Sequence, residues 1–138
     1  MSRRKRRQKS RRFVALDAWL METAAWQSLS PTERVIYVEL KRRYNGSNNG
    51  YIALSVRDAA SAVNVSKTTA GRALKVLEER GFIAITTQSG FNRKDRAATE
   101  YRLTELLCDR SGWASEATKE FVRWQPSEAT KTRTQSHP

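Results

Sequence analysis

The chain has 138 residues, 38 % of them hydrophobic, with 26 Lys and Arg against 14 Asp and Glu, a net charge of +12. That is room for one domain with tails around a modest core, and no apolar run approaches the ~18 residues a membrane-spanning helix needs. A single cysteine, Cys108, excludes an internal disulfide, and with the one histidine at position 137 it leaves no ligand set for a transition metal.

Most of the excess charge is at the start. Residues 1–12, MSRRKRRQKSRR, contain Arg3, Arg4, Lys5, Arg6, Arg7, Lys9, Arg11 and Arg12 and no acid, whereas residues 13–105 carry 13 bases against 10 acids. A block of like charge repels itself and cannot be buried, so this basic arm is expected to be disordered in isolation. It reads either as a solubilising tail or as an arm that neutralises phosphates, and the motif further along favours the second. Asp17 and Glu22 interrupt what would be the apolar part of a secretory leader, so none is expected.

Leu16, Trp19, Leu20, Thr23 and Trp26 recur at helical spacing and predict a helix over 13–29, beginning near Asp17, with its aromatics in the core. Ser30-Pro31-Thr32-Glu33 is a helix start: Ser30 caps, Pro31 takes the first position where no amide partner is needed, and Glu33 closes a capping box. That helix continues through RVIYVELKRRY, where Lys41, Arg42 and Arg43 suit the negative end of the dipole as well as they would suit DNA. Residues 45–50, NGSNNG, are a loop, and residues 51–54 a short strand.

The stretch LSVRDAASAVNVSKTTAGRALKVLEERGF, residues 54–82, organises the rest. Ser55 caps a short helix over 56–63, Asn64-Val65 turns, and Ser66 caps a second helix over 67–80 that Gly81 stops. Val65 can staple on Ala70. At about 100° per residue, Ala70, Ala73, Leu74 and Leu77 share one face, and Thr68, Arg72 and Lys75 share the other, with Gly71 beside them. Two short helices joined by a tight turn, the second with a basic, hydroxyl-bearing outer face, make a helix-turn-helix whose second helix suits the major groove of double-stranded DNA. Residues 82–87 alternate as a strand, 89–98 form a polar connection, and 99–104 alternate again and pair back.

On the segments LSPTERVIYVEL, YIALS and VSKTTAGRALKVLEERGFI, residues 29–105 resemble the winged helix-turn-helix superfamily of bacterial transcription regulators and of phage and plasmid replication-initiator modules. The resemblance implies an α+β, mainly α fold: a winged helix-turn-helix over 13–106 with an extra N-terminal helix. It also implies a bacterial, cytoplasmic, nucleoid-associated setting.

Past that domain, Trp113, Ala117, Phe121 and Trp124 recur at spacings of four, four and three, predicting an amphipathic helix within 107–124. Its aromatic face either packs back on Trp19 and Trp26 or meets a second chain; the homodimer is the favoured reading, because modules of this size read paired half-sites. Residues 125–138 read as a disordered tail.

The expected contacts follow from side-chain chemistry. Lys67, Thr68, Thr69, Arg72 and Lys75 are the candidates for base edges, with Arg72 suited to a bidentate contact with guanine. Ser55, Arg57, Ser66 and Thr68, the amides opening the second helix, and the arm are candidates for phosphates. Asn92, Arg93, Lys94 and Arg96 on the connection suit a minor groove. Catalysis is not expected, since the one histidine is in the tail, Cys108 has no basic-aromatic pocket around it, Glu78 and Glu79 face largely different directions, and no Gly-rich phosphate loop exists. No cofactor, small-molecule ligand or membrane contact is indicated. Repression of transcription is the leading reading, replication initiation the runner-up, and sequence-independent nucleic-acid coating a third.

Overall fold

A computed structural model describes residues 11–88 and 98–127. They form α1 (Ala18–Met21), α2 (Ala24–Gln27), α3 (Pro31–Arg43), β1 (Ile52–Ala53), α4 (Val56–Val63), α5 (Lys67–Glu79), β2 (Ile83–Thr87), β3 (Glu100–Leu103) and a 3-10 turn, Glu120–Arg123. The fold is α+β and mainly helical, with one antiparallel sheet in the order β1-β3-β2.

The N-terminal segment differs from the single helix expected over 13–29. It forms two single turns, because Thr23 interrupts the ladder: its hydroxyl accepts from the Trp26 amide at 3.2 Å and donates to the Leu20 carbonyl at 2.7 Å. One side chain thus satisfies a polar group from each side of the break. Leu20 and Trp26 still reach the core, while Trp19 stays partly exposed.

α3 begins as its sequence dictates. Ser30 Oγ accepts from the Glu33 amide at 3.2 Å, and Glu33 Oε1 accepts from the Ser30 amide at 3.1 Å, closing the capping box. Ile36, Tyr37 and Leu40 are buried, and the helix packs against both α4 and α5. Around its midpoint Trp26, Tyr37 and Phe82 meet edge to face at centroid distances of 5.5–6.0 Å. Pairs of this geometry add about 0.5–1.5 kcal/mol each beyond area burial.

The C-terminal segment overturns the amphipathic helix expected within 107–124. Its chain is irregular, with turns at 104–105 and 111–112, and is held by bonds to backbone groups that a helix would need for itself. The buried Arg102 donates to the carbonyls of Ala114 (3.1 Å) and Glu116 (2.7 Å); the Cys108 amide donates to the Ser115 carbonyl (2.9 Å) and the Lys119 amide to that of Thr104 (3.0 Å). Lys119 is left-handed (φ 48°), and the single 3-10 turn follows it. Trp113, Ala117, Phe121 and Trp124 therefore share no helical face for a second chain. Phe121 is fully buried, stacked on Phe82 (4.9 Å, 6°) and on Trp19 (5.7 Å). Trp124 is half-buried under the Arg80 guanidinium (5.0 Å), Ala117 is half-buried, and Trp113 is exposed. Phe121 thus packs on its own chain, between Trp19 and Phe82. Gly81 makes room for it: with φ +86°, any side chain there would stand 2.7 Å from Glu120 Cβ and from the Phe121 amide.

Two polar clusters complete the interior. Asn49, wholly buried, donates to the carbonyls of Leu103 and Leu107 and accepts from the Leu103 amide, so the loop after α3 is stitched to the end of β3. Lys41 and the Tyr37 hydroxyl both bond Glu105 in the interior. Burial, reinforced by Glu105, holds the Tyr37 hydroxyl well above its ordinary pKa.

Candidate nucleic-acid interface

The angle between α4 and α5 is fixed locally. Ser55 Oγ accepts from the Asp58 amide at 3.0 Å to start α4, and Asn64 ends it in the left-handed region (φ 59°, ψ 53°), which asparagine tolerates better than most residues. The Val65 amide donates back to the Ala60 carbonyl, and Ser66 starts α5 by accepting from the Thr69 amide at 3.1 Å. The Ser66 hydroxyl also donates to Thr69 Oγ1 at 2.9 Å. Both capping serines are thus engaged within the protein; at the start of α5 the exposed residues Lys67 and Thr68 flank helix amides free of that cap.

α5 divides as its periodicity requires. Ala70, Ala73, Leu74 and Leu77 are buried against α3 and α4, whereas Lys67, Thr68, Thr69, Arg72 and Lys75 are exposed. Among the described residues, Lys67, Arg72 and Lys75 form no ion pair. Their charge is available to an external partner. Glu78 and Glu79, also exposed, occupy the last turn, so like-charge repulsion disfavours phosphates there and leaves the first two turns as the cationic part. Arg57 is exposed in the first turn of α4. Gly71 is not open to the outside in the way its position on the helical wheel suggests, because it lies against Val56 of α4.

The hairpin beside this surface is anchored by a residue the sequence reading missed. Arg110 donates to Thr87 Oγ1 (2.9 Å), to the Gly50 carbonyl (3.0 Å) and to Glu100 (3.3 Å), and its guanidinium covers the Tyr51 ring at 4.7 Å. It clasps both strands where the connecting residues leave them. Asn92, Arg93, Lys94 and Arg96 lie outside the described residues, as do Arg3, Arg4, Lys5, Arg6, Arg7 and Lys9 of the arm; Arg11 and Arg12 are described and exposed. No helix among the described residues is long and apolar enough to cross a membrane.

No curated protein and no solved structure matches the chain. Residues 27–83 match a family model described as a helix-turn-helix domain. The matched stretch spans α3, β1, α4 and α5 and reaches the first residue of β2, and the antiparallel β2–β3 pair follows it as the arms of a wing. Residues 27–83 are thus similar to a helix-turn-helix domain, and the small antiparallel sheet packed with them gives the chain the α+β arrangement of a winged helix-turn-helix.

Proposed function

We propose that the chain is a sequence-specific double-stranded DNA-binding protein that regulates transcription, most simply by occupying a promoter as a repressor. The observation that carries this reading is the outer face of α5: Lys67, Thr68, Arg72 and Lys75 stand exposed without internal partners while the opposite face is buried. A rigid helix bearing free cations and hydroxyls is what the major groove accepts, with the helix start toward the bases. Residues 89–98 would follow the adjacent minor groove, and the basic arm would add contacts to phosphates independent of sequence. A homodimer reading two half-sites would pair through a surface other than Phe121 and Trp124, which the chain uses internally.

Genome-wide footprinting tests the proposal. One protected operator overlapping a promoter supports it; an array of direct repeats beside an origin would assign the same surface to replication initiation, and uniform protection of random duplexes would remove sequence choice altogether.

A further inference from the structure

Residues 11–15 run beside the C-terminal end of α3, and between them opens a cleft of about 1060 Å³. Arg11, Arg12, Lys41 and Arg42 line it together with Phe13 and Tyr44, and no carboxylate does. Lys41 is bound to Glu105 and Arg42 to Glu39, so the uncompensated charge is that of Arg11 and Arg12, which form no ion pair among the described residues. Phe13 is 80 % exposed. An aromatic ring left in water forgoes the gain of burial, and this one stands directly after two free guanidinium groups.

The chemistry that uses both is a planar base attached to a phosphate. Ring faces stack bases while cations track the backbone, which is how flexible single strands are held without regard to sequence. A duplex keeps its bases stacked on one another and offers Phe13 nothing but backbone. An anionic bilayer would also attract cations and an aromatic ring, yet a flat surface does not follow a concave cleft to Tyr44.

The cleft is also separate from α5. No residue of α4 or α5 lines it. Leu106, at its rim, follows β3 at the end where Leu103 pairs with Ile83, whereas the residues joining β2 to β3 leave the opposite end, beyond the pairing of Thr87 with Glu100. We propose that this cleft binds single-stranded nucleic acid, stacking a base on Phe13 while Arg11 and Arg12 hold its phosphates, at the same time as α5 holds a duplex. The site does not depend on the regulatory reading above.

Fluorescence anisotropy of the full chain with short labelled oligonucleotides free of self-complementarity, one DNA and one RNA, tests it, alongside a mixed-sequence duplex. Phe13→Ala leaves every charge in place, and circular dichroism verifies that the fold is retained. It should weaken single-strand binding at least about fivefold, the low end of the stacking contribution of one base, and leave duplex binding within about twofold. Arg72→Ala should do the reverse. Saturating unlabelled duplex should not displace the single strand, and the stronger of the DNA and RNA arms identifies the natural strand. Unchanged single-strand affinity in Phe13→Ala, stoichiometric displacement by duplex, or a loss seen with phosphatidylglycerol vesicles but with neither oligonucleotide would overturn the proposal. Failure of duplex binding with single-strand binding intact would sink the regulatory reading and the simultaneous occupancy, and leave the single-strand site standing.

Discussion

Gly71 of α5 faces Val56 of α4, and a methyl group added to Gly71 would stand 3.7 Å from Val56 Cγ1, at ordinary van der Waals distance. Its backbone is not in the left-handed region that would require glycine. Gly71→Ala should therefore gain helix propensity of up to about 1 kcal/mol without a clash. Thermal melting should show a rise of a few degrees, with DNA affinity unchanged. A higher melting point joined to weaker binding would instead mean that the glycine serves close approach of the DNA backbone.

The stacked pair of Phe82 and Phe121 makes the C-terminal segment part of the core. Phe121→Ala should cost about 3–5 kcal/mol, as emptying a buried aromatic site does. Because the contact lies within one chain, the loss measured by urea unfolding should not vary with protein concentration. A concentration-dependent loss would return Phe121 to an interface between chains.

The helix-turn-helix was legible because its signals are local. Ser55, Ser66 and Gly81 announce the ends of two helices within a few residues of where they act, and the alternation of Ala70, Ala73, Leu74 and Leu77 with Thr68, Arg72 and Lys75 needs no knowledge of the partner surface. What stayed hidden depends on residues distant in the chain. Arg102 looks like a solvent-facing strand residue until the carbonyls of Ala114 and Glu116 come to cover it. The spacing of Trp113, Ala117, Phe121 and Trp124 satisfies a helix, but those same carbonyls are spent on β3, so tertiary bonds override the period. Asn49 is one asparagine among several in a loop, and Arg110 follows Asp109 without a motif; only the folded chain shows that each ties segments more than 20 residues apart.

Lys41 illustrates the same gap, since a basic residue at a helix end reads as solvated and is instead buried with Glu105 and Tyr37. Glu105 Oε2 has no partner among the described residues. Lys41→Met should leave that carboxylate with only the tyrosine and cost about 3–5 kcal/mol. Adding Glu105→Leu should recover a large part of the loss, because the cost is that of a stranded charge. A double-mutant cycle by urea unfolding measures this; simple additivity would contradict the pairing.

Alkaline stability should fall for a reason visible in β3. Burial, and then the charge of Glu78, push the Tyr101 hydroxyl up to about 12. The unfolded tyrosine ionises near ~10. Below that pH both states hold the proton and the full stability is present; above it the unfolded state releases the proton first, so stability declines as pH rises toward the folded value. Tyr37 shifts in the same direction and adds to the decline. Urea midpoints should therefore drop on the alkaline side, and Tyr101→Phe should make that drop shallower.

The last expectation separates sequence choice from charge. Arg72 is exposed in the second turn of α5 with no carboxylate bound to it among the described residues. A guanidinium there can bond two acceptors of one guanine, so Arg72→Ala should lose about 1–3 kcal/mol of discrimination at a single base pair and leave the others as they were. Deleting residues 2–12 removes cations and no base reader. It should weaken all duplexes alike and flatten the dependence of log affinity on log salt, whose slope is about −0.9 per phosphate neutralised. Binding isotherms at several salt concentrations, for the operator and for single-base variants of it, distinguish the two effects. If Arg72→Ala instead lowered all affinities equally and changed the salt slope by one phosphate, the side chain would be a backbone contact, and the choice of sequence would have to come from Lys67, Thr68, Thr69 or Lys75.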